Sequence, residues 1–193
     1  MQPLNQQKNM RTEQKTEHEK LQEVSKYAFE CIAEMVAALD VDYDRLEELR
    51  EMFAEWKEEA LRTADTEGRE RPVDLNVEDW SALSEEGQEL LELEKAAGDC
   101  ESLEDAEQRI NDDPLAVQVR SGWCDVGAEM EAEEYNILLS TGGPATRIIG
   151  DLNQYGEPET ATLQAQDWFT QWQDYEGGDE ETLLRYASRF LGF

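Results

Sequence analysis

Positive charge is what this chain has least of for its size. Seventeen Lys and Arg stand against 47 Asp and Glu, a formal net charge of -30 over 193 residues. A field of that sign repels phosphate backbones and anionic membranes and attracts basic protein surfaces. Histidine is as scarce: His18 stands alone. No Ser or Cys has an identifiable base partner, so nucleophilic catalysis finds no support. The three cysteines, Cys31, Cys100 and Cys124, are widely spaced and form no CxxC pair. An odd, scattered set points to reduced thiols in a cytoplasmic setting. No apolar run approaches the roughly 20 residues that span a bilayer, and the N-terminus lacks the apolar core of a signal peptide. A phosphate-binding loop is missing too. Gly142 and Gly143 lie in "TGGP", a turn with neither the lysine nor the helix of a P-loop.

A charge excess of this kind accompanies disorder when apolar residues are few. Here they are 39% of the chain, with five Trp, six Tyr and five Phe, enough for a core. They also fall in periodic runs. Residues 1–18 are polar and Gln-rich and read as a flexible tail. Leu21, Val24, Ala28, Cys31, Ile32, Met35, Val36 and Leu39 recur at three and four, an amphipathic helix. "DVDYD" breaks it, and Leu46, Leu49, Phe53, Trp56, Ala60 and Leu61 mark a second. The short connection implies a helical hairpin. Residues 63–76 form a linker punctuated by Gly68 and Pro72. A third helix is expected over Glu78–Ala97, carrying Trp80, Leu83, Leu90, Leu91 and Leu93, with Gly87 as a possible break. Ser102 caps a fourth, with Asp105 at the capping-box position, and Pro114 ends it.

From residue 114 the period changes. Leu115, Val117 and Val119 alternate. "EEYNILLS" and "ATRIIGDLN" flank the "TGGP" turn as a β-hairpin. "TATLQAQDWFTQW" reads as a further strand with Leu163, Ala165 and Phe169 on one face, and "DEETLLRYASRFL" as a closing helix. The fold class is therefore α+β: a helical acidic region over 19–113, then an antiparallel β-meander with a C-terminal helix over 114–193.

Two constellations bear on function. Asp40, Asp42, Asp44 and Glu51 have the spacing of a calcium loop, but Arg45 occupies the position where the sharp turn needs glycine. Asp42 or Asp44 as a helix cap, with Glu47 as the box partner of Asp44, explains the pattern better. The second constellation is larger. Fifteen carboxylates between Asp74 and Asp113 face only Lys95 and Arg109 in sequence. Solvated helix faces usually interleave the two signs. A generic halophile-type acidic surface gives the same composition. A rigid helix with acids at i, i+3 and i+4 repeats charge every roughly 4.5–6 Å, the order of a phosphate track. Glu89, Glu92, Asp99, Glu101, Glu104, Asp105, Asp112 and Asp113 are the expected partner-binding residues. Asp125–Glu134 and the aromatic rim of Trp168, Trp172 and Tyr175 are the other surfaces on offer.

The segments "VQVRSGWCDVGAEMEAEEYNILLSTGGPATRIIGDLN", "YGEPETATLQAQDWFTQW" and "ETLLRYASRF" resemble an uncharacterised family carried by bacterial phages and plasmids, over about residues 115–193. Size, acidity and that mobile-element likeness together are similar to anti-CRISPR and anti-restriction proteins, several of which act as DNA mimics. The resemblance implies an inhibitor of a host nucleic-acid-targeting defence system, a type I CRISPR surveillance complex first, acting in the host cytoplasm. The expected partner is a basic nucleic-acid-binding protein or complex, with no direct nucleic acid, membrane, cofactor, metal or enzymatic activity. An acidic adaptor or chaperone shielding a basic partner is the alternative, and the oligomeric state stays open.

Charge of one sign also sets stability. Thermal melts in NaCl from about 10 mM to about 0.5 M should show a rising Tm, because the Debye length shrinks to about 10 Å at 0.1 M. A flat or falling Tm would show that folding pairs the acids with the few cations.

Overall fold

The computed structural model describes residues 16–68 and 75–192. Six helices and five strands occur among them: α1 (Glu17–Ala38), α2 (Tyr43–Glu67), α3 (Val77–Ser81), α4 (Glu85–Ala97), α5 (Leu103–Asp112), β1 (Ala116–Arg120), β2 (Glu134–Ser140), β3 (Ala145–Asp151), β4 (Thr162–Gln166), β5 (Gln173–Asp174) and α6 (Glu180–Ala187). The expected α+β order is present, helices first, strands in the second half, a helix last. No helix of the described residues is long and apolar enough to cross a membrane.

The chain clusters into two compact units, Ala33–Asn111 and the remainder, which joins the residues through Ile32 to those from Asp112 onward. The first part of α1 groups with the sheet, where Gln22 Nε2 donates to the Asp174 carbonyl at 2.8 Å. The Gln22 side-chain oxygen accepts from the Glu176 N–H at 3.1 Å. The tail read over 1–18 lies outside the described residues as far as residue 15. Glu17 and His18 already belong to α1, and His18 Nδ1 lies 2.9 Å from Gln173 Oε1.

In the helical unit, Leu46, Leu49, Trp80, Leu90 and Ala97 form one buried cluster. Phe53, Trp56 and Trp80 stack with centroids 5.7–6.4 Å apart. Such rings bury large apolar area and add orientation-dependent attraction. Tyr43 donates its hydroxyl to the Ala38 carbonyl at 3.0 Å, tying the end of α1 to the start of α2. The cap of α2 is Asp42, whose carboxylate accepts the Arg45 N–H at 3.0 Å. Of the two expected caps, Asp42 rather than Asp44 serves α2.

The single third helix expected over Glu78–Ala97 is two helices. Asn76 and Asp79 close a reciprocal capping box on α3, and Ser84 starts α4 by accepting the Gly87 N–H at 2.9 Å. Leu83 falls between them and is exposed. The two caps satisfy backbone donors that one continuous helix would have used internally. Gly87 is no break. It lies inside α4, and a Cβ there would meet the Trp80 carbonyl carbon and oxygen at 2.6 Å.

The sheet is an antiparallel meander in the order β1-β2-β3-β4-β5. Tyr135, Ile137, Ile148, Leu163 and Ala165 are buried on one face, together with Leu183, Tyr186 and Ala187 of α6. Val117 and Val119 pair opposite Ile137 and Tyr135 and so share that face, yet stay exposed, because β1 is the edge strand with a neighbour on one side only. The strand expected over "TATLQAQDWFTQW" ends early. The Thr170 hydroxyl accepts the Asp167 N–H at 3.1 Å and Asp167 Oδ1 accepts the Trp168 N–H at 2.7 Å. These local bonds turn the chain out of the ladder. Phe169 takes a left-handed backbone, φ 66°, and is fully exposed rather than on the strand face with Leu163 and Ala165.

Gly87→Ala should lower unfolding free energy by about 1–3 kcal/mol, the usual penalty for forcing bulk into a packed contact. Denaturant titration measures it. A loss under about 0.5 kcal/mol, the range of ordinary surface changes, would show that α3 and α4 separate freely.

Candidate partner-binding surface

The acidic stretch is carried on capped backbone. Beyond the Asn76 box on α3 and the Ser84 cap on α4, Ser102 accepts the Asp105 N–H at 3.1 Å, and Asp105 Oδ2 accepts the Glu101 N–H at 3.2 Å. Each cap satisfies donors at a helix start, and the added carboxylates also suit its positive end. Part of the acidity in this stretch is therefore structural, Asp79 and Asp105 above all.

A second part is neutralised from a distance. Arg45 of α2 makes a bidentate pair with Glu89, Nε to Oε1 at 3.0 Å and Nη2 to Oε2 at 2.7 Å, and reaches Glu48 at 3.2 Å through Nη1. Hydrogen bonding from Arg45 holds the Glu89 carboxyl below the usual carboxylate range. Arg50 pairs with Glu94 at 3.3 Å, and Arg109 with Glu34 at 3.7 Å. The sequence expectation that only Lys95 and Arg109 oppose these acids is corrected. The cations come from α2, 44 residues upstream of their partners, and no helical spacing within the stretch reveals them.

The eight expected residues thus fall into classes. Glu89 is paired and Asp105 is a cap. Asp113 accepts the Tyr186 hydroxyl, whose own ionisation burial pushes far upward, with Asp113 adding to it. Asp112 is also engaged. These last two belong to the sheet unit, so the expected track does not run within one unit from Glu89 to Asp113. Glu92, Asp99, Glu101 and Glu104 remain: exposed, in the helical unit, with no side-chain partner among the described residues. Three residues omitted from the expected set share that state, Glu78, Glu85 and Glu86. The signal for two of them was present, since Glu85 and Glu86 directly follow the capping Ser84 and occupy the first turn of α4. Glu85 and Glu92 lie seven residues apart, two turns along one face, or about 10.5 Å.

The aromatic rim is less uniform than its sequence suggests. Trp168 is exposed, whereas Trp172 is half-buried under the Arg147 guanidinium, 4.1 Å from the ring centre, and Tyr175 packs on Phe29 at 6.0 Å. The Asp125–Glu134 segment leads out of an exposed loop that displays Trp123, Val126 and Met130. Cys31, Cys100 and Cys124 are all free thiols. Among the described residues, no three His, Cys, Asp or Glu side chains group as metal ligands.

No protein-family model, no curated protein and no solved structure matches this chain.

Because the folded state depresses the Glu89 pKa, its pairing contributes stability above the unfolded carboxylate pKa and loses it as pH falls through the folded value. Glu89→Gln should therefore be less stable than the parent at pH 7, with the gap closing toward pH values below the carboxylate range. Urea titrations of both proteins at a series of pH values check this, and a gap that persists in acid would assign the effect to packing.

Proposed function

We propose that this chain is a non-enzymatic inhibitor that occupies the basic nucleic-acid-binding surface of a partner, the partner being a host defence complex that targets nucleic acid. A type I CRISPR surveillance complex is the first choice. One observation carries the reading. Seven exposed carboxylates, Glu78, Glu85, Glu86, Glu92, Asp99, Glu101 and Glu104, lie without cationic partners among the described residues, on or beside capped helices. The described arginines of the same unit are spent elsewhere, on Glu89, Glu94, Glu34 and Glu59.

The physics favours a macromolecular cation over a small one. Unpaired surface acids repel one another and are individually well hydrated. A groove lined with Lys and Arg relieves the repulsion of many at once and speeds encounter. Preorganised backbone limits the entropy lost on docking. The likeness of the second half to phage- and plasmid-borne sequences supports a partner in host defence. The net charge of -30 supports a protein partner over nucleic acid itself.

Competition on a purified type I surveillance complex tests the proposal. The chain should displace target duplex, less effectively as salt rises. The combined variant Glu92→Gln, Asp99→Asn, Glu101→Gln, Glu104→Gln should fold and need about tenfold more protein for the same displacement, the scale expected when steering charge is lost. Absence of displacement would remove this partner, and an unaltered variant would move the site off the acidic helices.

A further inference from the structure

The open face of the sheet carries a cleft of about 620 Å³ whose lining includes Arg120, Glu134, Arg147, Ile149 and Asp151. That volume lies within the range of small-molecule sites. Arg147 stands out in it. The Nε atom donates to Gln164 Oε1 at 2.9 Å and the guanidinium face lies on Trp172, so the group is held at two points. Its Nη donors have no acceptor among the described residues, and no carboxylate pairs with it. In a chain with 47 acids, a half-buried arginine left without one is unexpected. Arg120, by contrast, is paired with Glu134.

The opposite end of the cleft is acidic. Asp151 lies four residues along β3 from Arg147, on the same face, about 13 Å away at about 3.3 Å per residue. One of its oxygens accepts the Thr160 hydroxyl at 3.2 Å, and it has no cationic partner among the described residues. The adjacent Arg120–Glu134 pair is neutral as a unit. Ile149 lies between the two ends, apolar and half-exposed.

We propose that this cleft binds a short zwitterion of di- or tripeptide size, its carboxylate on the Arg147 fork and its ammonium on Asp151. The free Nη edge matches a planar carboxylate. The backbone positions that carry the two groups stand about 13 Å apart along β3, which sets the scale of the ligand, and a cleft of about 620 Å³ holds a molecule of that size. Two to three extended residues, at most about 3.6 Å each, are of that order. Net charge selects the same class: the chain's field opposes anions, whereas a neutral dipole escapes that repulsion and aligns with a cleft positive at one end and negative at the other. The site lies in the sheet unit and does not depend on the acidic helices.

Calorimetry of the full chain with trialanine, N-acetyl-trialanine and trialanine amide tests it. Trialanine should bind saturably at one site, and each blocked peptide about tenfold more weakly, the scale of one lost charge-assisted hydrogen bond. Arg147→Met should weaken trialanine similarly and abolish the difference between acid and amide. Asp151→Asn should abolish the difference made by acetylation. Amide shifts of residues 147–151 in the unmodified chain on adding trialanine supply a readout that needs no variant. No saturable binding, equal binding of blocked and free peptides, or shifts confined to other residues would overturn the assignment.

Discussion

The stack of Phe53, Trp56 and Trp80 is the contact on which the acidic half depends. A chain segment this rich in carboxylate repels itself, and nothing in its charge pattern draws it together. Three aromatic rings supply non-directional burial that charge cannot supply. They also set geometry. Trp80 lies near the end of a helix of only five residues, and its carbonyl lies so close to Gly87 that no side chain fits between them. Arg45 and Arg50 then reach Glu89 and Glu94 on the helix that contains Gly87.

That arrangement sorts the acids by role. Asp42, Asp79 and Asp105 terminate helices. Glu34, Glu89 and Glu94 receive arginines. Asp113 takes the hydroxyl of a buried tyrosine. Only after these are removed does an unassigned set remain, and it is this remainder, rather than total acidity, that supports a basic partner. The sheet unit inverts the pattern at one place, with an arginine held firmly and left without its acid. The two proposals therefore rest on different features, unpaired acids in one unit and an arginine without its acid in the other.

Element types were legible wherever period and punctuation agreed. Leu21 to Leu39 at three and four, "EEYNILLS" against "ATRIIGDLN" across a glycine-proline turn, and Ser102 three residues before Asp105 all specify local structure through short-range sterics and hydrogen bonds. Legibility failed where two local signals compete. "DWFT" has strand-like aromatics, but Asp167 and Thr170 offer the backbone closer partners than the ladder does, and Phe169 turns outward. Over Glu78–Ala97 a continuous apolar rhythm concealed two sets of caps.

By itself the sequence determined the α+β class, the net charge and most helix starts, because these depend on composition and on residues within a few positions of one another. Tertiary structure alone decided which acids are free. Arg45 and Glu89 are 44 residues apart and Asp113 and Tyr186 are 73 apart. Whether a carboxylate meets a cation, a hydroxyl or water depends on side chains brought together by packing, and no local pattern encodes that distance. The same holds for Arg147, whose isolation is a property of the folded sheet face and of no stretch of sequence around it.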